Sequence, residues 1–153
     1  MNLSIRSRPA VRGVLVAVGA TLLLAPLAGC SEDEKTLASW SKDGGQEHML
    51  TIAKDVRTLV QDSGGSTGAD AGIASRCSQV LDDVKAARAY GELPDKLTQL
   101  EWKDALDQVQ TTASHCLRNV KAGQGGVDLT DCIDAQTAMD SFLDQLDLAR
   151  SRS

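Results

Sequence analysis

The most restrictive feature of this sequence is a set of four segments in which apolar residues recur every three or four positions. That spacing places the apolar side chains on one face of an α-helix. The four stripes are Met49, Ile52, Ala53, Val56, Leu59 and Val60; Ile73, Cys77, Val80, Leu81, Val84 and Ala87; Leu106, Val109, Ala113, Cys116, Leu117 and Val120; and Leu129, Cys132, Ile133, Met139, Leu143 and Leu146. Mostly short links join them, so they predict an all-α, up-and-down bundle of about four helices over residues 44–150.

The amino-acid composition favours the same fold class. Of the 153 residues, 42% are apolar but only 3% are aromatic. Sheets use aromatic and β-branched residues on their pleated faces, so a chain with so few aromatic residues favours helices. The length allows one ordinary domain and excludes a two-domain enzyme.

The clearest predicted helix start lies before the third stripe. Thr98 and Glu101 have the spacing of a capping box, in which the two side chains satisfy each other's end amides. Leu97 and Trp102 stand where a hydrophobic staple would place them. We therefore predict that the third helix begins with Thr98 as its N-cap.

The N-terminal segment has the organisation of a secretory signal peptide. Residues 1–12 carry three arginines and no acid, and residues 13–24 are an uninterrupted run of apolar and small residues. This run of about 12 residues is too short for a spanning helix, which needs roughly 20. We predict that residues 1–29 are a cleaved lipoprotein signal peptide.

The tetrapeptide Leu-Ala-Gly-Cys at residues 27–30 resembles a bacterial lipobox. In that motif the cysteine thiol accepts the lipid, so Cys30 is the predicted lipidation site. Two acyl chains hold a protein firmly on a bilayer, whereas one binds only marginally. We expect the mature protein to be anchored on the extracytoplasmic face of the cell membrane. Residues 30–43 are predicted to be the lipidated cysteine and a flexible spacer, after which Asp43 caps the first helix.

The mature chain is acidic. Residues 1–29 contain three of the sixteen Lys and Arg residues and none of the twenty-one acids, which leaves thirteen basic against twenty-one acidic residues, a net charge of about −8. Nucleic acids and anionic lipid head groups both require a cationic surface. We therefore expect no nucleic-acid partner. We expect the protein to contact the membrane through the lipid on Cys30.

Three cysteines remain after Cys30, which predicts one disulfide and one unpaired thiol in an oxidising compartment. Cys77, Cys116 and Cys132 all fall near one end of an antiparallel bundle. Helix counting favours Cys116 with Cys132, because Cys77 is about four residues, roughly 6 Å, out of step. An extended link at residues 91–95 could absorb that stagger, so both pairings stay open.

A stretch of about forty residues resembles a group of small actinobacterial lipoproteins and secreted helical proteins. The matching positions are the segment 77–90, then Leu93, Pro94, Asp95, Gln99, Trp102, Ala105, Leu106, Ala113 and Cys116. The group has no function to carry over. The resemblance implies a disulfide between Cys77 and Cys116, and Cys132 is not part of its pattern.

Motifs for catalysis and cofactors are lacking. The sequence contains no Walker loop, HExxH, dinucleotide fingerprint or CxxCH, and the letters GxSxG occur at residues 64–68 within a glycine-rich linker. Three thiolates and His115 could form a Cys₃His zinc set, but no CxxC spacing prepares one. The aspartates Asp82, Asp83, Asp104, Asp107, Asp140, Asp144 and Asp147 lie mostly off the stripes and predict a solvated outer face. We expect no catalytic residue, metal ligand or cofactor.

The sequence thus predicts a membrane-anchored lipoprotein with a non-catalytic helical domain. Such a domain is expected to bind a protein, an envelope component or a small ligand at the cell surface. The alternative is a redox or metal-binding envelope protein that uses Cys132 or Cys77 with His115.

Overall fold

The computed structural model describes residues 36–63 and 71–152, so the predicted signal peptide at residues 1–29 and the lipidation site Cys30 lie outside the described residues. The helices are α1 (Leu37–Trp40), α2 (Gln46–Ser63), α3 (Ala71–Tyr90), α4 (Lys96–Lys121) and α5 (Leu129–Arg152), with a π-helical turn at Ser41–Gly45 between α1 and α2. These two ranges contain no strand, and the predicted all-α bundle is confirmed.

The four long helices pack around one core formed by the predicted stripes. The stripe residues that are buried are Met49, Ile52, Val56, Leu59, Ile73, Cys77, Val80, Val84, Ala87, Leu106, Val109, Ala113, Cys116, Cys132, Met139 and Leu146. Near the middle of the core, the rings of Trp102 and Phe142 lie with their centroids 4.7 Å apart. Two of the four aromatic side chains in the protein therefore pack against each other across α4 and α5.

Each long helix packs against its neighbours in the chain, and α2 also packs against α5. One end of the bundle, here called the tyrosine end, contains Trp40, Tyr90, Asp95 and Arg152; an ion pair of 3.7 Å joins Asp95 to Arg152. The opposite end, here called the cysteine end, contains Cys77, Cys116 and Cys132, together with an ion pair of 2.6 Å between Asp62 and Arg76.

The predicted spacer at residues 30–43 is too long. Thr36 caps α1 through its hydroxyl, and Trp40 is buried in the core. Gly44 turns the chain at φ 131°, and a Cβ atom on Gly45 would lie 2.4 Å from the Trp40 ring. The glycine pair allows this close packing, so the helical domain begins at α1.

Asp43 does not cap α2, contrary to prediction. It is exposed and lies within the π-helical turn, which runs directly into α2. The helix predicted from the first stripe therefore has no free N-terminus at Asp43. Gln46, its first residue, accepts a hydrogen bond from the Ser41 hydroxyl at 3.1 Å.

The capping box predicted for the third helix is also wrong. Asp95 is the N-cap of α4, and its carboxylate accepts hydrogen bonds from the Thr98 backbone N–H at 2.8 Å and the Thr98 hydroxyl at 2.7 Å. Thr98 is buried one turn inside the helix, and Leu97 is 57% exposed, so no staple forms with Trp102. A carboxylate bonds both groups of Thr98 at once, which explains why the earlier start is preferred.

Two residues of the fourth stripe lie outside the core. Leu129 and Ile133 are 56% and 53% exposed. Cys132 adjoins Ile133 but points about 100° away from it on the helix, toward the core. The buried face of α5 follows Cys132, Ala135, Met139, Phe142 and Leu146 instead.

Within residues 36–63 and 71–152, no helix has the length and hydropathy needed to cross a bilayer.

Candidate functional site

A groove between α3 and α4 is the concave surface on which the candidate site is built. Two depressions of about 290 and 360 Å³ lie between the two helices, and a third of about 280 Å³ adjoins them and is lined by α4 residues alone. The first and second share Arg88, the first and third share Asp107, and the second and third share Gln110 and Ser114. The depressions therefore adjoin one another along the two helices, starting beside the link at residues 91–95.

The first depression combines an apolar floor with a charged rim. Its floor is formed by Ala87, Trp102 and Leu106, each of which is only 2% exposed. Arg88 and Lys103 stand at the rim, one on each helix. A shallow apolar floor between two cations suits an amphipathic ligand with an anionic or polar end.

Ion pairs connect the charged side chains of the rim. Arg88 pairs with Asp107 across the two helices, and Lys103 reaches Glu92 at 3.1 Å. All four side chains are well exposed, so these pairs contribute little to stability and can exchange partners with a bound ligand. At the base of the link, the Gln99 side-chain oxygen accepts a hydrogen bond from the Leu93 N–H at 2.6 Å and fixes its position.

The other two depressions extend the groove toward the cysteine end. The second is lined by Leu81 and Val84 and bordered by Lys85. The third is mainly polar and contains His115 and Arg118. The groove thus changes along its length from mostly apolar to mostly polar, which fits an extended ligand better than a small round one.

The structure joins Cys77 to Cys116, as the resemblance implied, rather than Cys116 to Cys132. The two Cα atoms are 6.3 Å apart, which lies within the tolerated range of about 4.4–6.8 Å. The residues of the 91–95 link lie outside both helices, so the stagger that helix counting assigned to Cys77 does not separate the two thiols. The disulfide fastens α3 to α4 at the cysteine end of the groove.

Of the three cysteines in the described ranges, Cys132 is the unpaired one, and it is 1% exposed. Burial raises the pKa of its thiol to about 11; the charges of Asp131 and Asp128 act in the same direction, and a hydrogen bond with Ser63 opposes them. A thiol in such an environment is protonated at neutral pH, and it is a poor nucleophile or metal ligand.

His115 contacts the carboxylate of Asp131 rather than a group of metal ligands. Its Nδ1 lies 2.6 Å from Asp131 Oδ2 and joins α4 to α5. The hydroxyl of Thr112 reinforces this contact by donating to the Asp131 backbone oxygen at 2.9 Å. In the two described ranges, no three His, Cys, Asp or Glu side chains are grouped so that they could hold a metal ion.

Asp55 on α2 and Asp83 on α3 form a carboxyl pair that was not predicted from the sequence. The pKa of Asp55 is raised to about 6. Burial is the largest cause, and the negative charge of Asp83 and a hydrogen bond with the Asp83 side chain act in the same direction. The Gln79 amide donates to both Asp83 oxygens at 3.1 Å. Asp83 is half-buried, unlike its exposed neighbour Asp82, so the predicted solvated face is wrong at this position. The sequence feature that could have revealed this pair is the position of Asp55 directly before Val56, which is a residue of the first apolar stripe.

Comparisons of this chain with protein-family models, with curated proteins and with solved structures each found no match. The resemblance to small actinobacterial lipoproteins stays a prediction.

Proposed function

We propose that this protein is a lipid-anchored envelope protein whose helical domain binds an extended amphipathic ligand or a peptide segment in the α3/α4 groove. The single observation that carries the binding role is the groove itself, where apolar floor and exchangeable rim ion pairs occur together. The disulfide between Cys77 and Cys116 supports the proposal, because it would keep the two groove walls at a fixed separation. No step of catalysis is assigned to the domain.

The membrane anchor is a separate part of the proposal and has its own test. Replacement of Cys30 by alanine should abolish lipid labelling and should prevent signal removal by the lipoprotein route. A Cys30→Ala protein that is still labelled and still fractionates with membranes would contradict the anchor.

Site-specific photocrosslinking in intact cells tests the groove. A photoreactive residue placed at Lys85 or Lys103 lies on the rim, whereas one placed at the exposed residue Asp140 on α5 is a matched control outside the groove. We expect the two rim positions to give the same adduct and the control to give none. Identical adducts at all three positions, or none at the rim, would contradict binding in the groove.

The alternative, a redox or metal-binding protein, rests on Cys132 or Cys77 with His115. Two observations weigh against it: Cys77 is bonded to Cys116, and the Cys132 thiol is buried. Metal analysis after dialysis, together with a thiol count under denaturing conditions, separates the two functions. Stoichiometric metal with three titratable thiols would favour the alternative.

A further inference from the structure

Large exposed apolar side chains are distributed unevenly over the described bundle. Six such residues are more than half exposed, and four of them lie toward the tyrosine end: Leu50, Leu97, Leu100 and Leu148. The other two, Leu129 and Ile133, lie at the cysteine end, on the first turns of α5. A concentration of leucines at one end of a small acidic domain requires an explanation, because exposed apolar clusters mark contact surfaces.

Leu97 and Leu148 lie on either side of the α4/α5 seam at the tyrosine end. On α4, Leu97 lies eighteen residues, or five full turns, before His115, so the two residues share one side of the helix. His115 contacts Asp131 on α5, so Leu97 lies on the side of α4 next to α5. Leu148 is one turn before Arg152, whose side chain reaches Asp95 beside the start of α4. Leu100 follows Leu97 by three residues on the same helix. The three leucines thus belong to one surface, here called the leucine end patch.

The chain that leads to the predicted lipid enters the bundle at this same end. Thr36 is the cap of α1, and Trp40 at the end of α1 accepts a hydrogen bond from Tyr90. Six peptide steps separate Cys30 from Thr36, and a fully extended chain spans about 3.5 Å per residue, or about 20 Å in all. By contrast, α4 is 26 residues long, which corresponds to about 39 Å. An anchor on Cys30 would therefore hold the tyrosine end close to the bilayer, while the cysteine end could lie up to the length of α4 farther away.

Lysines lie among the charges beside the leucines of the tyrosine end, whereas the nearest charges to the exposed apolar residues of the cysteine end are acidic. Lys96 and Lys103 flank Leu97 and Leu100 on α4, where long cationic side chains can extend toward lipid head groups. Leu129 and Ile133 instead have Asp128, Asp131 and Asp134 beside them. The tyrosine end also contains acids, including Glu101 and Asp147, so its attraction to lipid would come from the leucines rather than from net positive charge.

We propose that the leucine end patch, Leu97, Leu100 and Leu148, contacts the outer surface of the bilayer in which Cys30 is anchored. The inference rests on the proposed lipid anchor and extends it, because it assigns the domain a fixed orientation with the tyrosine end at the membrane. The α3/α4 groove then runs away from the bilayer, with its apolar first depression nearest to the lipid.

The test uses the full mature lipoprotein reconstituted into vesicles of zwitterionic phosphatidylcholine. An environment-sensitive fluorophore is attached to Leu97→Cys, to Leu148→Cys and, as a matched control, to Ile133→Cys. Cys132 is buried and the other two core cysteines are bonded, so background labelling is expected to be low. Nitroxide groups near the lipid head group should quench the label at 97 and 148 at least twofold more than at 133. Because the contact is apolar, the difference should persist in about 1 M salt, where the Debye length is about 3 Å.

The outcomes separate this inference from the proposed anchor. Equal quenching at all three positions in a protein acylated on Cys30 would overturn the leucine contact and leave the anchor intact. A blue shift at 97 and 148 without quenching by lipid nitroxides would also overturn it and would point to a second copy of the chain as the occupant. A protein isolated from its native membranes that carries no acyl group on Cys30 would contradict the anchor itself, and this inference with it.

Discussion

The phenol of Tyr90 donates a hydrogen bond of 3.1 Å to the backbone carbonyl oxygen of Trp40, fifty residues earlier in the chain. The two rings also meet edge to face with centroids 5.9 Å apart, and the His48 ring lies 5.0 Å from Tyr90 on the other side. Tyr90 therefore connects the last residue of α3 to the segment before α2, and it fastens the N-terminal turn to the bundle.

Replacement of Tyr90 by phenylalanine should loosen this segment while keeping the ring packed. Loss of one hydrogen bond to a part-buried carbonyl is expected to lower the free energy of unfolding by about 1 kcal/mol. Hydrogen exchange at residues 37–45 should quicken more than exchange in α4. Unchanged exchange at residues 37–45 would show that ring packing alone holds the turn.

Loss of the disulfide between Cys77 and Cys116 should cost much of the stability of the domain. The bond spans 39 residues, for which the chain-entropy relation gives about 4 kcal/mol. The double variant Cys77→Ala, Cys116→Ala should therefore unfold at a markedly lower denaturant concentration, and each single variant should lose a similar amount. Cys132→Ala is the matched control, because it truncates a buried cysteine outside the bond. A non-reduced peptide map with Cys116 joined to Cys132 would refute the pairing.

The carboxyl pair predicts that stability falls as the pH rises. Folding raises the pKa of Asp55 from 3.8 to about 6, so the folded state holds this proton more tightly than the unfolded chain does. The contribution is complete below about pH 3.8 and is lost as the pH rises through about 6. Two pKa units correspond to about 3 kcal/mol, and the partial solvent access of Asp55 reduces that figure.

Asp55→Asn removes this proton dependence while keeping a hydrogen-bond donor toward Asp83. We expect the variant to gain about 1–2 kcal/mol in free energy of unfolding at pH 7.5 and little at pH 4.5. Denaturant unfolding at the two pH values measures both. Asp82→Asn, at the exposed neighbouring position, should change stability equally at both pH values. Unchanged or lower stability of Asp55→Asn at pH 7.5 would contradict the raised pKa, because the ionised Asp55 would then cost the folded protein nothing.

The Cys132 thiol should be unreactive in the folded protein. With a pKa of about 11, less than about a thousandth of it is ionised at pH 7.5, and the side chain is 1% exposed. Iodoacetamide should modify it slowly in buffer and rapidly in 8 M urea, reaching one thiol per acylated, non-reduced molecule. Rapid modification of the folded protein would instead support a redox role.

Helix content and core composition followed from the sequence, because the period of an apolar stripe depends on local geometry alone. Residues such as Ile52, Val109 and Leu146 could be assigned to the interior before any packing was known. Helix ends were less predictable. Asp95 and Thr98 are both good caps, and the choice between them depends on how the 91–95 link meets α3.

The sequence by itself determined an all-α bundle, because apolar residues at that period share one face only in a helix, and the anchor hypothesis rests on the sequence Leu-Ala-Gly-Cys at residues 27–30. Only the tertiary structure decided which surfaces meet. It paired Cys77 with Cys116, brought Asp83 against Asp55, and packed Trp40 beneath a turn that resembled a spacer. These contacts join residues far apart in the chain, and their geometry depends on the relative shift and rotation of whole helices, which a residue pattern within one helix does not specify.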